Sequence, residues 1–217
     1  MMQITIREPG SAITHFIAMM MAVFAAVPLL IKAGSADGSQ SFTAMAIFMA
    51  SMILLYGAST TYHTVNLTGR ALRIFKKIDH MMIFVLIAGS YTPVCLIVLG
   101  GEVGYKLLAL VWGIAFLGMG IKAVWVTCPK WFSSIIYIAM GWVCVLVFGQ
   151  LLETLPTGAF LWLLAGGIIY TVGGIIYAMK LSVFNAKHKW FGSHEVFHLF
   201  VMAGSACHFI CMYLYIA

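Results

Sequence analysis

The sequence predicts an all-α membrane protein, a bundle of seven transmembrane helices with the N-terminus in the cytoplasm and the C-terminus outside. Three observations carry that expectation. Of the 217 residues, 63% are hydrophobic and 8% are charged, whereas a soluble globular chain carries about a quarter charged residues. The mean hydropathy is +1.05, so polar surface is too scarce to cover this chain in water, and the bilayer is its natural solvent. The apolar residues also fall into seven runs, each close to the ~20 residues that a spanning helix needs. Finally, Lys and Arg gather in alternate connections.

The spans are expected at 12–32, 42–63, 80–99, 106–126, 132–152, 158–179 and 195–216. Breakers fill the gaps: Gly34 to Gly38, Gly100-Gly101, Pro129, and Pro156 to Gly158. The first run follows Arg7 and precedes small residues at Ala33 to Ala36, as a signal peptide would. It is longer than a signal core, which runs about 7–15 residues, and six further spans favour an uncleaved helix. No long polar segment leaves room for a second, soluble domain, so 1–217 reads as one seven-span domain.

Orientation follows from the basic residues. Arg7, Arg70, Arg73, Lys76, Lys77, Lys122, Lys130, Lys180, Lys187 and Lys189 fall on one side of a seven-span chain, and only Lys32 and Lys106 fall on the other. The positive side is cytoplasmic, and the expected location is the plasma membrane. The same distribution excludes a nucleic-acid partner: a formal charge of +6 is spread over the connections and makes no basic domain. The five cysteines (Cys95, Cys128, Cys144, Cys207, Cys211) form no CxxC pair and read as free, packed thiols. Cys207 and Cys211 share a helix face at i,i+4.

Ionisable residues at membrane depth are costly and mark function. His63 ends the second span, His194 and His198 begin the seventh, Asp79 begins the third, and His15 lies in the first turn of the first. All are expected at the cytoplasmic end. The spacing of His194 and His198 puts both imidazoles on one helix face, one turn apart, which lets two histidines of one helix share a metal ion. Residues 194–198 match the HExxH of zinc proteases in order and length, but here the helix is a membrane span and Glu195 sits at its mouth. His63 is the third ligand by depth. Three histidines leave a fourth position open, as in catalytic rather than structural zinc sites; iron and manganese also suit this donor set. Ser59 lies one turn before His63 on the same face, and Asp79 is placed to orient a water. The alternative is that these histidines are packed or hydrogen-bonded residues without a metal. His208 lies ten residues past His198, about 15 Å along the helix, and is read as structural. His188 is read as a solvated loop residue.

Four blocks carry a resemblance: R-E-P-G-S-A-I-T-H from Arg7 to His15, S-T-T-Y-H from Ser59 to His63, K-K-I-D-H from Lys76 to His80, and S-H-E-V-F-H-L-F-V-M-A-G-S-A-C-H-F from Ser193 to Phe209. With seven spans, they make the chain resemble the hemolysin III family, the bacterial branch of the progestin and adipoQ receptor (PAQR) family. The resemblance implies zinc (Zn2+) held by His63, His194 and His198, a water between the metal and Asp79, and Ser59 close by. The wider superfamily includes alkaline ceramidases, which share the Ser, Asp and three-His pattern and hydrolyse lipid amides. The first block departs from the family. Ser11 and Arg7-Glu8 stand where bacterial relatives often carry Asn and an acidic pair, so the resemblance gives Glu8, Ser11 and His15 no role.

Two readings of function lead. One is a zinc-dependent hydrolase of lipid amide or ester bonds, with Asp79 as general base and Ser59 at the oxyanion or the water. Its partners would be membrane lipids and a lipid-like substrate. The other is a non-enzymatic sensor or regulator in which zinc braces helices two, three and seven. A pore-forming cytolysin, suggested by the family name, sits poorly with seven apolar spans, and a transporter lacks paired charges along any span.

Overall fold

The computed structural model describes residues 6–35, 39–179 and 192–217. Among them the regular structure is helical throughout, and seven helices are long and apolar enough to cross a membrane: α1 (Pro9–Ser35), α2 (Ser39–Thr64), α3 (Gly69–Leu99), α4 (Gly101–Val124), α5 (Lys130–Thr154), α6 (Thr157–Met179) and α7 (Ser193–Ile216). The protein is thus a multi-pass membrane protein, as the hydropathy predicted. Successive helices pack side by side, and α1 closes the bundle by lying against both α2 and α7. A stripe of small residues on α1 (Ala18, Ala22, Ala26, Ala33) meets Met45, Phe48, Met52 and Tyr56 of α2 in the larger core cluster. Small side chains let helix backbones approach where lipid supplies no hydrophobic drive between helices.

Every span runs past the predicted bounds at one or both ends, and two departures matter. α3 begins at Gly69 rather than at 80. Arg70, Arg73, Lys76 and Lys77 are charged enough to read as a loop, yet they sit on the exposed and half-buried faces of a helix that extends beyond the apolar run. Asp79 therefore lies well inside α3 and is buried, instead of opening the span. Lys122 was read as a junction residue, but it is in the last turn of α4 and only 2% exposed. Similarly, His15 falls in the second turn of α1, because that helix starts at Pro9. The α3–α4 turn needs its two glycines, since Gly100 and Gly101 have φ of 56° and 48°, in the left-handed region that side chains disfavour.

α5 is broken. Its helix stops at Gly141, and a 3-10 stretch, Val143–Val147, joins it to Phe148–Thr154. Irregular backbone at membrane depth persists only where its polar groups find partners. Tyr91 of α3 supplies them: its hydroxyl donates to the Gly141 carbonyl at 2.6 Å and accepts from the Cys144 N–H at 2.9 Å.

The five cysteines are free, and the Cys211 thiol contacts the Ala159 carbonyl at 3.4 Å. His208 Nε2 lies 3.3 Å from the Leu163 carbonyl of α6. His188, with Lys180, Lys187 and Lys189, lies outside the described residues.

Candidate metal centre

The start of α7 and the end of α2 converge at one end of the bundle. His63 comes from the last turn of α2, and His194 and His198 come from the first two turns of α7. One nitrogen from each ring lies within 4.8 Å of the others. The Nε2 atoms of His63 and His194 are 3.2 Å apart, and the ring centroids are separated by 4.5 to 5.3 Å. Three imidazoles so arranged each offer one nitrogen within reach of a single ion, the donor set that suits zinc and other borderline transition metals.

The outer nitrogens of two rings are held. Glu8 hydrogen-bonds His63 through Nδ1, and Thr14 Oγ1 lies 3.1 Å from His198 Nδ1. Such contacts fix the ring orientation and leave Nε2 as the outward donor. His194 Nδ1 is buried and has no partner among the described residues. The hydrogen bond with His63, followed by the charges of His63 and Arg7, holds the Glu8 carboxyl down at about 2 from its ordinary 4.5, against the opposing effect of burial.

The N-terminal arm is therefore part of the site. Glu8 N donates to His63 O at 3.0 Å, which lays the arm along the end of α2, and Arg7 stacks on Tyr62 with its guanidinium carbon 4.1 Å from the ring centroid. Ser11 donates to Glu195 Oε1, whose other oxygen accepts from Gly192 N at 2.8 Å. Both oxygens of Glu195 are thus engaged in capping α7 and holding α1, which separates this segment from the HExxH pattern, where the Glu is a general base. His15 stacks flat on His198, with centroids 3.5 Å apart and planes 8° from parallel, and both its ring nitrogens are buried without a hydrogen-bond partner among the described residues. The sequence contained a signal for this backing layer: Glu8, Ser11 and His15 recur at helical spacing, with Thr14 between them on the same turn.

Asp79 and Ser59 stand at the same end. Both line a cavity whose walls also include His15, His194 and His198. The Asp79 carboxylate lies 3.2 Å from His80 Nδ1. His80, next to Asp79 in sequence, joins the same wall. From there the cavity continues between α3, α5, α6 and α7, past Ile83, Ile87, Tyr137, Phe197 and Val201, to His208. All five residues singled out from the sequence for chemistry are therefore brought to one end of the bundle. Four of them (Ser59, Asp79, His194 and His198) line the cavity itself, and His63 joins through the imidazole cluster.

Residues 3–209 match the family described as Haemolysin-III related. The chain belongs to that family. It is 36% identical over 216 residues to Hemolysin-3 of Bacillus cereus, covering 100% of this chain and 94% of that protein. It is 36% identical to the Hemolysin-3 homolog of Bacillus subtilis, with 97% and 95% covered. More distantly, it is 27% identical to Progestin and adipoQ receptor-like protein 1 of Caenorhabditis elegans, over 93% of this chain and 50% of that protein. The haemolysin-III match takes in every residue of the imidazole cluster and of the arm that backs it.

Proposed function

We propose that the protein is a zinc-dependent hydrolase of lipid amide or ester bonds, working in the plasma membrane with its metal site near the cytoplasmic face. The observation that carries this reading is the placing of three convergent imidazoles, a buried carboxylate and a buried hydroxyl around the head of one apolar cavity. His63, His194 and His198 would hold the metal. When bound, zinc polarises a carbonyl and makes water a nucleophile near neutral pH.

The chain's own residues do the rest. Glu8 and Thr14 fix the rings of His63 and His198. Asp79 takes the proton of the attacking water on its carboxylate and returns it to the leaving amine or alkoxide. Ser59 donates to the developing oxyanion. The apolar walls beyond hold a hydrocarbon chain and position the scissile bond at the polar end.

A second reading has a specific observation behind it. The cluster and its partners join the ends of α1, α2 and α7, so a metal there would brace those helices in a sensor without turnover. Pore formation, the third, requires a soluble state that seven apolar spans oppose.

The deciding experiment measures metal content and lipid-amide hydrolysis on the purified protein beside His198→Ala. About one zinc per chain, lost in the variant, with cleavage of a ceramide-like amide by the wild type alone, supports the hydrolase. Zinc without turnover across a broad lipid panel leaves bracing or sensing. A wild-type protein without metal overturns the reading of the cluster.

A further inference from the structure

The histidine end carries far more positive than negative charge. Its acids are Glu8, Asp79 and Glu195, and each is already engaged: Glu8 by His63 and Arg7, Asp79 by His80, and Glu195 by Ser11 and the Gly192 N–H. Orientation in the bilayer accounts for basic residues in loops. It does not account for Lys122, which is in the last turn of α4 with 2% of its surface exposed. Among the described residues no carboxylate lies within ion-pair reach of it. Its Nζ instead meets Ser133 Oγ at 2.5 Å and Cys128 Sγ at 3.0 Å.

Ser133 and Cys128 are walls of a recess at the mouth of the bundle, which also presents Lys76, Lys130 and His80. Lys130 is steadied over the Tyr177 ring at 4.3 Å. Burial pushes the Cys128 thiol up, yet hydrogen bonds with Ser133 and Lys122, and the Lys122 charge, bring it below its ordinary value. That is a local sign of positive potential at the recess wall. The recess adjoins the apolar cavity: His80, Ser133 and Tyr177 line both.

We propose that this recess binds the phosphate of a phosphomonoester lipid headgroup, held by Lys76 and Lys130 with Lys122 behind, while the hydrocarbon chain enters the apolar cavity. The proposal rests on the reading of that cavity as a lipid site and narrows its occupant to an anionic lipid. Two lysines on the recess wall, with a third behind its Cys128 and Ser133 side, suit an anion with several acceptor oxygens. A neutral headgroup would leave the buried Lys122 uncompensated, and an unpaired buried charge is costly.

The test is a binding titration on the full-length protein in detergent, with tryptophan fluorescence as readout. The probes are an ether-linked octadecylglycerol phosphate, which carries no carboxylic amide or ester to cleave, its uncharged octadecylglycerol counterpart, and inorganic phosphate. The phosphate lipid should bind at least about tenfold tighter than the uncharged one, and that margin should shrink as salt is raised. Lys76→Gln with Lys130→Gln, the two lysines on the recess wall, should remove most of the margin, and Lys122→Met should cut it severalfold.

Equal affinity for the two lipids overturns the proposal, as does a margin unchanged in the double variant. Inorganic phosphate binding as tightly as the phosphate lipid also overturns it, by assigning the recess to a free anion. Because the ether lipid is inert, this outcome is separate from that of the hydrolase reading. A preference for phosphate without turnover of any lipid leaves the headgroup site standing and removes the enzyme. Turnover of a neutral amide without the preference does the reverse.

Discussion

Glu8→Ala tests whether the N-terminal arm works for the imidazole cluster. His63 is 2% exposed, and its Nδ1 is hydrogen-bonded by Glu8. Removing the carboxylate takes a charged hydrogen-bond partner from that nitrogen; the Glu8 side chain is 45% exposed, so water replaces it in part, and hydrogen bonds to charged groups are worth about 1.5–3 kcal/mol. The ring escapes the remaining loss by turning Nδ1 toward another partner, which takes Nε2 out of the cluster. Either way the metal site pays: outer-shell partners of ligating histidines are worth about 10–100-fold in metal affinity. Zinc affinity is read by competition with a graded series of chelators at pH 7, with stoichiometry checked by elemental analysis. Arg7→Ala is the comparison, because Arg7 reaches Glu8 at 3.3 Å and otherwise stacks on Tyr62, so its loss should cost only about threefold, in line with exposed ion pairs. Wild-type affinity in Glu8→Ala, beside a clear loss in His63→Ala, would refute the argument that the arm orients the ring.

Four further outcomes follow from the same geometry. Asp79→Asn should keep its zinc and lose about 10²–10⁴-fold in turnover, since it removes proton transfer and no ligand; metal loss in that variant would place Asp79 in the coordination sphere instead. The Glu8 carboxyl, held at about 2, should stabilise the metal-free protein fully above pH 4.5 and lose that contribution as pH falls toward 2; acid titrations of Glu8→Gln should show a flatter limb over that interval. Tyr91→Phe strips both partners from the break in α5 and should cost about 1–3 kcal/mol in thermal unfolding. Gly118→Ala would place a methyl 2.2 Å from the Phe84 ring, and overpacking of that kind costs about 1–3 kcal/mol, so a melting temperature equal to the wild type would show that α3 and α4 can part.

Much of this was legible in the sequence because membranes simplify the code. Seven apolar runs and their breakers gave the spans to within a few residues, except at α3, where four basic residues on a helix look like a loop. The histidine pair of α7 was legible from its i,i+4 spacing, and His63 from depth alone. The arm was harder to read. Glu8 and Ser11 act through His63 and Glu195, respectively 55 and 184 residues away in sequence, and no local pattern encodes such a contact. Lys122 misled for the same reason. A lysine at the end of an apolar run reads as a snorkelling or loop cation, and only the packing of the 125–133 segment against α4 shows it enclosed.

The long cavity is what separates the two leading readings of the cluster. A bracing metal needs ligands, helix ends and a dry shell, and the junction of α1, α2 and α7 supplies all three by itself. It has no use for a gap that passes from His194 and His198 down to His208, ten residues further along α7, or about 15 Å. Voids between helices forfeit packing contacts, and in a bilayer those contacts are much of what holds helices together. A sequence that places Gly167 of α6 on the wall of that void, where an added Cβ would meet only Trp142 at 4.0 Å, has kept space at a cost. Filling it discriminates: Gly167→Leu, at a position where an added Cβ meets only Trp142 at 4.0 Å, should leave zinc content at about one per chain and abolish turnover of long-chain lipids while sparing short-chain ones. A bracing site would show the same metal content and no chain-length effect on any lipid assay.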